Sequence, residues 1–221
     1  MKQGEEMATK TSKPRAEAYA DDVALSIELR RTITSFGSED AFLGCNEGDL
    51  VDVDTQAIAG KVRLFVVDLE GADKKGFGAR WTLDLEAATE PYMALLSQEA
   101  GNFSPAVLKI LGEEFILNSN MLIIDRLELL PQYRGRGLGL RCMDACIRHF
   151  SLGCRIAAIK PYPLQFEPTG RSKNEWRDAL AFKALSRDKR ASTKRLKQHY
   201  GQLGFQHVPR TDLMVRDLYE E

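Results

Sequence analysis

Histidine and cysteine are scarce in this chain, with three of the first and four of the second among 221 residues. The cysteines (Cys45, Cys142, Cys146, Cys154) form no C-x-x-C pair, and no histidine joins them at metal-ligand spacing, so no metal site is expected. Cys142 and Cys146 lie four apart on a segment of helical periodicity, where a free thiol acts as a small hydrophobe. A reduced, cytoplasmic setting is the simpler reading of such thiols. Long apolar runs are missing too. Nothing approaches the roughly 18 consecutive apolar residues of a membrane helix, so no membrane partner is expected. Residues 1–20 mix Lys, Glu, Thr and Ala around Pro14 and lack the apolar stretch of a secretory signal. They read as a disordered tail ahead of a single domain over 21–221.

What is present is an ordinary globular composition, 43% hydrophobic and 29% charged, with its charge unevenly placed. Residues 1–130 hold 13 Lys and Arg against 23 Asp and Glu; residues 131–221 hold 18 against 9. A basic second half suits an anionic ligand, although two solvated faces that attract each other would give the same split.

Alternation of apolar and polar residues predicts strands over Val23–Thr34, Leu50–Ile58 and Val62–Leu69, with Gly37, Gly44, Gly48, Gly60 and Gly71 as turns. Helices are predicted over Leu83–Glu99, with a break at Pro91, and over Pro105–Glu114, where Ser104 offers an N-cap and Pro105 the first helical position. A strand over Met121–Leu130 comes next, then a helix over Gly137–Phe150 with Leu140, Met143, Ile147 and Phe150 on one face. A short strand, Ile156–Ile159, leads into a long connection, Pro161–Arg190, that contains a helix over Glu175–Leu185. A last helix, Thr193–Leu203, and a strand, Leu213–Leu218, finish the chain. Strands alternating with helices make the second half α/β.

The most informative stretch is Leu127-Glu128-Leu129-Leu130-Pro131-Gln132-Tyr133-Arg134-Gly135-Arg136-Gly137-Leu138-Gly139. A strand enters a turn of three alternating glycines, and a helix leaves it. Glycines let backbone N–H groups converge on a ligand, and the helix N-terminus adds partial positive charge. Arg134 and Arg136 bring two guanidiniums to the same cradle. The arrangement reads as a pyrophosphate site. It is neither a P-loop, which needs G-x-x-x-x-G-K-[ST], nor the dinucleotide fingerprint, because Gly135, Gly137 and Gly139 give G-x-G-x-G. It does satisfy [QR]-x-x-G-x-[GA] through Arg134, Gly137 and Gly139.

That pattern, behind a Leu-x-Leu strand, resembles the CoA-binding motif of the GNAT superfamily of acyl-CoA-dependent N-acetyltransferases. Downstream, Tyr200-Gly201-Gln202-Leu203-Gly204-Phe205 resembles the Y-x-x-x-G-F signature of the same family. The resemblance covers roughly Asp125 to Phe205. It implies a GNAT-like mixed sheet flanked by helices, with acetyl-CoA as co-substrate and transfer of its acetyl group to an amine by direct attack on the thioester. It further implies that the backbone of Leu127, Glu128 and Leu129 bonds the pantetheine arm. The pyrophosphate would be held by the backbone from Gly135 through Arg136, Gly137, Leu138 and Gly139 to Leu140, helped by Arg134.

Two side chains are candidates for the chemistry. An alkylammonium has a reference pKa near 10.4, so a base is useful at pH 7. Strand alternation predicts Met121, Ile123, Asp125, Leu127 and Leu129 on one face, with Asp125 its only polar member, needing a partner or a task. In the family the base often lies on this strand, at a place Asp125 fills. Arg126 and Glu128 are expected on the other face, in a salt link or in solvent. Tyr200 matches the family's general acid, a hydroxyl that donates to the leaving thiolate; equally, with Leu196 and Leu203 it forms one helix face and could simply pack.

Departures from the family pattern are the connection over 161–190, inserted before the last long helix, and an atypical N-terminal half in which strands precede helices. The acceptor is expected to be a small-molecule or protein amine, and a homodimer is allowed. Rival readings are a CoA-binding or regulatory module without turnover and, less favoured, a basic nucleic-acid-binding protein. The last rests on ten Lys and Arg against three Asp and Glu over Arg171–Tyr200, with only Trp176 and Phe182 inside the run as stacking aromatics.

Overall fold

The first third of the chain folds as an antiparallel meander of β1 (Leu25–Arg31), β2 (Leu43–Asp52) and β3 (Ile58–Val67). The computed structural model describes residues 23–31, 39–98, 102–168 and 174–219. The expected tail over 1–20, the turn at Gly37 and the end of the first strand at Thr32–Thr34 lie outside these. Two expectations for the meander fail. The strand predicted over Leu50–Ile58 straddles a hairpin turn, because the Asp52 carboxylate accepts the N–H groups of Asp54 and Thr55 at 3.0 and 3.1 Å. Gly44, Gly48 and Gly60, expected in turns, lie inside strands. A Cβ on Gly48 would stand 1.9 Å from the Glu28 carbonyl oxygen, and one on Gly60 2.2 Å from that of Glu128. Those glycines exist for close strand approach, not for reversal.

Short helices follow: α1 (Leu69–Lys74), α2 (Ala79–Asp84), a 3₁₀ turn at Glu90–Leu95 and α3 (Pro105–Leu111). The helix predicted over Leu83–Glu99, with its break at Pro91, does not form as such: α2 ends at Asp84 and a 3₁₀ turn takes the place of its second part, with Glu99 outside the described residues. The Thr89 hydroxyl donates to the carbonyls of Leu83 and Glu86 at 2.7 and 2.9 Å and fixes a bend there, and Pro91 opens the 3₁₀ turn. Ser104 stands at the N-cap position of α3, but its hydroxyl is buried without a partner. Gly112, at φ 66°, caps α3, which ends at Leu111, three residues short of the predicted Glu114.

The remaining elements are β4 (Met121–Leu129), α4 (Leu138–Phe150), β5 (Ile156–Ile159), α5 (Glu175–Ala179), α6 (Lys189–Gly201), β6 (Gln206–His207) and β7 (Met214–Asp217). Helix α6 begins a turn before the predicted Thr193, because Asp188 accepts the Ala191 N–H at 2.9 Å. The predicted helix over Glu175–Leu185 stops at Ala179; Ala181 takes φ 46°, and only a 3₁₀ turn follows.

The seven strands form one mixed sheet in the order β1-β2-β3-β4-β5-β7-β6, with β4 and β5 parallel and all other neighbours antiparallel. Helices α1 to α3 cover one face over Phe65, Val67, Met121, Ile123 and Ile156. Helix α4 covers the other, setting Cys142, Met143, Cys146 and Ile147 against Leu64, Leu122 and Ile124. Each fully buried Leu, Ile or Met in these layers contributes about 1.5–3 kcal/mol. The α/β class and the strands-then-helices order of the first half stand as read from the sequence. Among the described residues no helix is long and apolar enough to cross a membrane.

Candidate functional site

Strands β4 and β5 pair only where Met121–Ile124 meets Ile156–Ile159. Beyond that point β3 stays beside β4 as far as Leu129, while on the β5 side Asp125–Leu129 has no partner strand among the described residues. β5 ends there while β4 runs on, and where the two strands part company a cleft opens beside Leu127, Glu128 and Arg134.

A bulge lies at the parting. Arg63 on β3 faces Arg126, but Leu64 faces Ile124, so Asp125 is the extra residue on β4. The bulge ends the alternation. Met121 and Ile123 join the core under α1 to α3, whereas Leu127 and Leu129 pack with the α4 layer. The predicted single row from Met121 through Asp125 to Leu129 is thus wrong, for a reason invisible in apolar periodicity. Asp125 instead accepts the Arg63 Nε–H at 2.6 Å, and Arg63 also approaches Glu47 at 3.5 Å. On the same strand the expected salt link is present, Arg126 to Glu128 at 2.9 Å, and Arg126 reaches Glu167 at 2.7 Å.

After β4, Pro131–Tyr133 makes a 3₁₀ turn and the glycines follow. Gly135 and Gly137 have φ of 77° and 73°, and a Cβ built on either meets nothing within 4 Å. Such backbone is the left-handed region that glycine enters freely. Gly137 is the N-cap of α4; its carbonyl takes the Arg141 N–H at 3.2 Å, so the N–H groups of Leu138, Gly139 and Leu140 fall in the first turn, where no intrahelical acceptor exists. A Cβ on Gly139 would point at Leu127 and Leu129, both at 3.7 Å. Arg136 is exposed at the turn. Arg134 is not: its Nε–H donates to the Leu129 carbonyl and its Nη2 to the Leu180 carbonyl, both at 2.8 Å. It fastens the long connection to the end of β4.

That connection is held at two more points. The Trp176 indole donates to Glu128 at 2.6 Å, and Glu167 takes Arg126 as above. Together these bonds hold the segment as the outer wall of the cleft, a cavity of about 400 Å³. Leu127 and Arg134 line its β4 side, Leu180 and Phe182 the outer wall, and His199 and Tyr200 the α6 side. Burial holds His199 below the usual histidine range, so it meets the cavity uncharged near pH 7. Tyr200 packs edge-on to Phe205, with ring centroids 6.5 Å apart, and burial pushes its hydroxyl up to about 12. It both packs and lines the cleft. The structure thus brings Leu127, Glu128, Arg134 and Tyr200 to one cavity, with the Gly135–Leu140 turn beyond Arg134 in the chain and Asp125 on the opposite side of the parting.

One residue that sequence reasoning missed stands beside Asp125. Tyr92, fully buried in the 3₁₀ turn, has its oxygen bonded by the Lys160 N–H just past β5. Burial first, and the Asp125 charge second, raise its hydroxyl well above the usual tyrosine range. Tyr92, Asp125, Arg126, Lys160 and Tyr162 line a second cavity of about 250 Å³, and Tyr162 is shared with the first. Tyr92 falls in no motif, directly after the helix break expected at Pro91, so no sequence signal pointed to it as a site residue.

The chemistry available is that of two chambers that share Tyr162 beyond the end of β5, one largely apolar and reaching Arg134 ahead of the glycine turn, one polar. A search of protein-family models gives no match to this chain, and a search of curated proteins gives none either.

Proposed function

We propose that the protein is an acyl-CoA-dependent N-acetyltransferase of the GNAT type. The observation that carries this reading is the parting of β4 from β5. It leaves Leu127–Leu129 without a strand partner on one side, where the Leu129 carbonyl is taken by Arg134, next to a positive-φ glycine turn at the head of a 13-residue helix. A pantetheine arm needs backbone partners along a narrow cleft, and a pyrophosphate needs convergent N–H groups with side chains out of the way. The residues present fit both requirements. Arg136, exposed at the turn, supplies positive charge for the phosphates; Arg134 acts at one remove, by holding the wall.

When bound, acetyl-CoA supplies the thioester that the amine attacks. Tyr200 contributes a hydrogen bond to the leaving sulfur. With its hydroxyl at about 12 and a thiol near 8.5, it stabilises the thiolate as a donor without giving its proton up. Asp125, bound to Arg63, orients the acceptor amine from the other chamber.

One observation favours the reading without turnover: the carboxylate nominated as base is already in an ion pair. Calorimetry with acetyl-CoA, followed by a thiol-release assay across a panel of amines, separates the two. Binding with amine-dependent release supports transfer. Binding with no release for any amine supports the module, and no binding removes both.

A further inference from the structure

We propose that the acceptor is the α-amino group at the N-terminus of a peptide chain, taken into the chamber beside Asp125 with the following residues laid along the adjoining groove. This rests on the transfer reading and deepens it. Three features of the chamber carry the proposal. First, no carboxylate in it is free: Asp125 is bound by Arg63 at 2.6 Å, and Glu167 by Arg126 at 2.7 Å. Second, the chamber's two cations, Arg126 and Lys160, match its two carboxylates, Asp125 and Glu167, so its lining carries no net negative charge to hold an ammonium. Such surroundings favour an amine that arrives neutral. A peptide α-amino group, at a reference pKa of about 7.7–8.0, is neutral about 300 times more often at pH 7 than a lysine side chain at about 10.4. A site with a tethered base suits the first and not the second.

Third, the chamber is small and has a continuation. It measures about 250 Å³, with Ala87, Ala88 and Pro91 as apolar wall and Arg126 among its lining. Arg126 also lines an open groove of about 580 Å³ across β2 and β3. The groove floor carries Glu47 and Arg63 at 3.5 Å and Asp49 and Lys61 at 3.6 Å, with the Glu47 side chain 62% exposed. Loose pairs of that kind offer both signs of charge to the amides and side chains of a bound peptide. A small free amine would leave the groove unused.

The attacking nitrogen forms a bond to the acetyl carbon, the carbon–sulfur bond breaks, the electron pair leaves with sulfur, and one of the amine's two protons goes to water while the other stays on the amide nitrogen. The test uses the full chain, acetyl-CoA and two peptides of one sequence containing a single lysine. One peptide has a free N-terminus and a blocked lysine; the other has the N-terminus blocked and the lysine free. At pH 7 the first is expected to be acetylated with kcat/KM at least about 50-fold higher, within the roughly 300-fold set by the neutral fractions. A hexapeptide is expected to show a KM about tenfold below that of a dipeptide with the same first residue, as extended contacts along the groove require. Equal rates, or preference for the lysine, overturn the proposal. Turnover of a small alkylamine with neither peptide accepted overturns it too, while leaving the transfer reading in place. Failure to bind acetyl-CoA overturns both.

Discussion

Asp125 and Arg63 are bound at 2.6 Å across the β3–β4 bulge, so the one carboxylate that the sequence puts forward as a base is held by a guanidinium from the neighbouring strand. The pair is partly buried, with Asp125 the more enclosed of the two. Removing one member of such a pair costs about 1–3 kcal/mol. Asp125→Asn is expected to lower stability by that amount and kcat/KM by about tenfold, short of the 10²–10⁴ of a true general base. Arg63→Gln frees the carboxylate and is expected to raise lysine-side-chain turnover relative to α-amine turnover about tenfold. Thermal melts and paired peptide kinetics check both.

The glycine turn makes separable predictions for two neighbours. Gly137→Asp places a carboxylate on positive-φ backbone facing open space, where phosphate would approach. Asp tolerates that conformation at a cost of about 1–2 kcal/mol, so the protein should fold yet lose measurable acetyl-CoA binding in calorimetry. Gly139→Ala directs its methyl at Leu127 and Leu129 in ordinary contact. It should keep wild-type affinity within about threefold, since a single ordinary methyl contact carries well under 1 kcal/mol of strain.

Arg134→Lys separates a phosphate ligand from a strut. If Arg134 met phosphate as a simple charge, lysine would serve. Its guanidinium instead bridges the carbonyls of Leu129 and Leu180. Lysine cannot reproduce that fork, so the variant should lose about 1–2 kcal/mol in melts and show faster amide exchange around Leu180.

Much of this was legible in the sequence, and the failures have physical causes. The glycine turn, α4 and β5 were readable because Gly-rich spacing and helical periodicity are local signals. Gly48 and Gly60 misled because a glycine needed for close strand contact looks, in one dimension, like a glycine that turns the chain. The faces of Leu127 and Leu129 were misread because one extra residue in a ladder inverts every later position, and that extra residue is defined only by its partner strand. Tyr92 was missed because its neighbours Asp125 and Lys160 come from strands that follow it in the chain.

Tyr200 gives a prediction in two parts. Its hydroxyl, raised to about 12 by burial, stays protonated as pH rises, so kcat/KM should climb as the acceptor amine loses its proton and show no falling limb below pH of about 10. Tyr200→Phe keeps the ring against Phe205 and deletes the donor. Turnover should drop about 10²–10³-fold with melting temperature nearly unchanged. A stable Phe variant with normal turnover, chemistry being rate-limiting, would leave Tyr200 as packing alone.

The most direct measurement of the central claim is the stoichiometry of transfer. Acetyl-CoA, the protein and a peptide with a free N-terminus are incubated together, and released thiol and acetylated peptide are counted in the same samples. The account predicts one acetylated peptide for each thiol at every time point, with neither formed when protein is omitted. Thiol released without acetylated acceptor, or acetyl-CoA bound and left intact beside every amine offered, would contradict it.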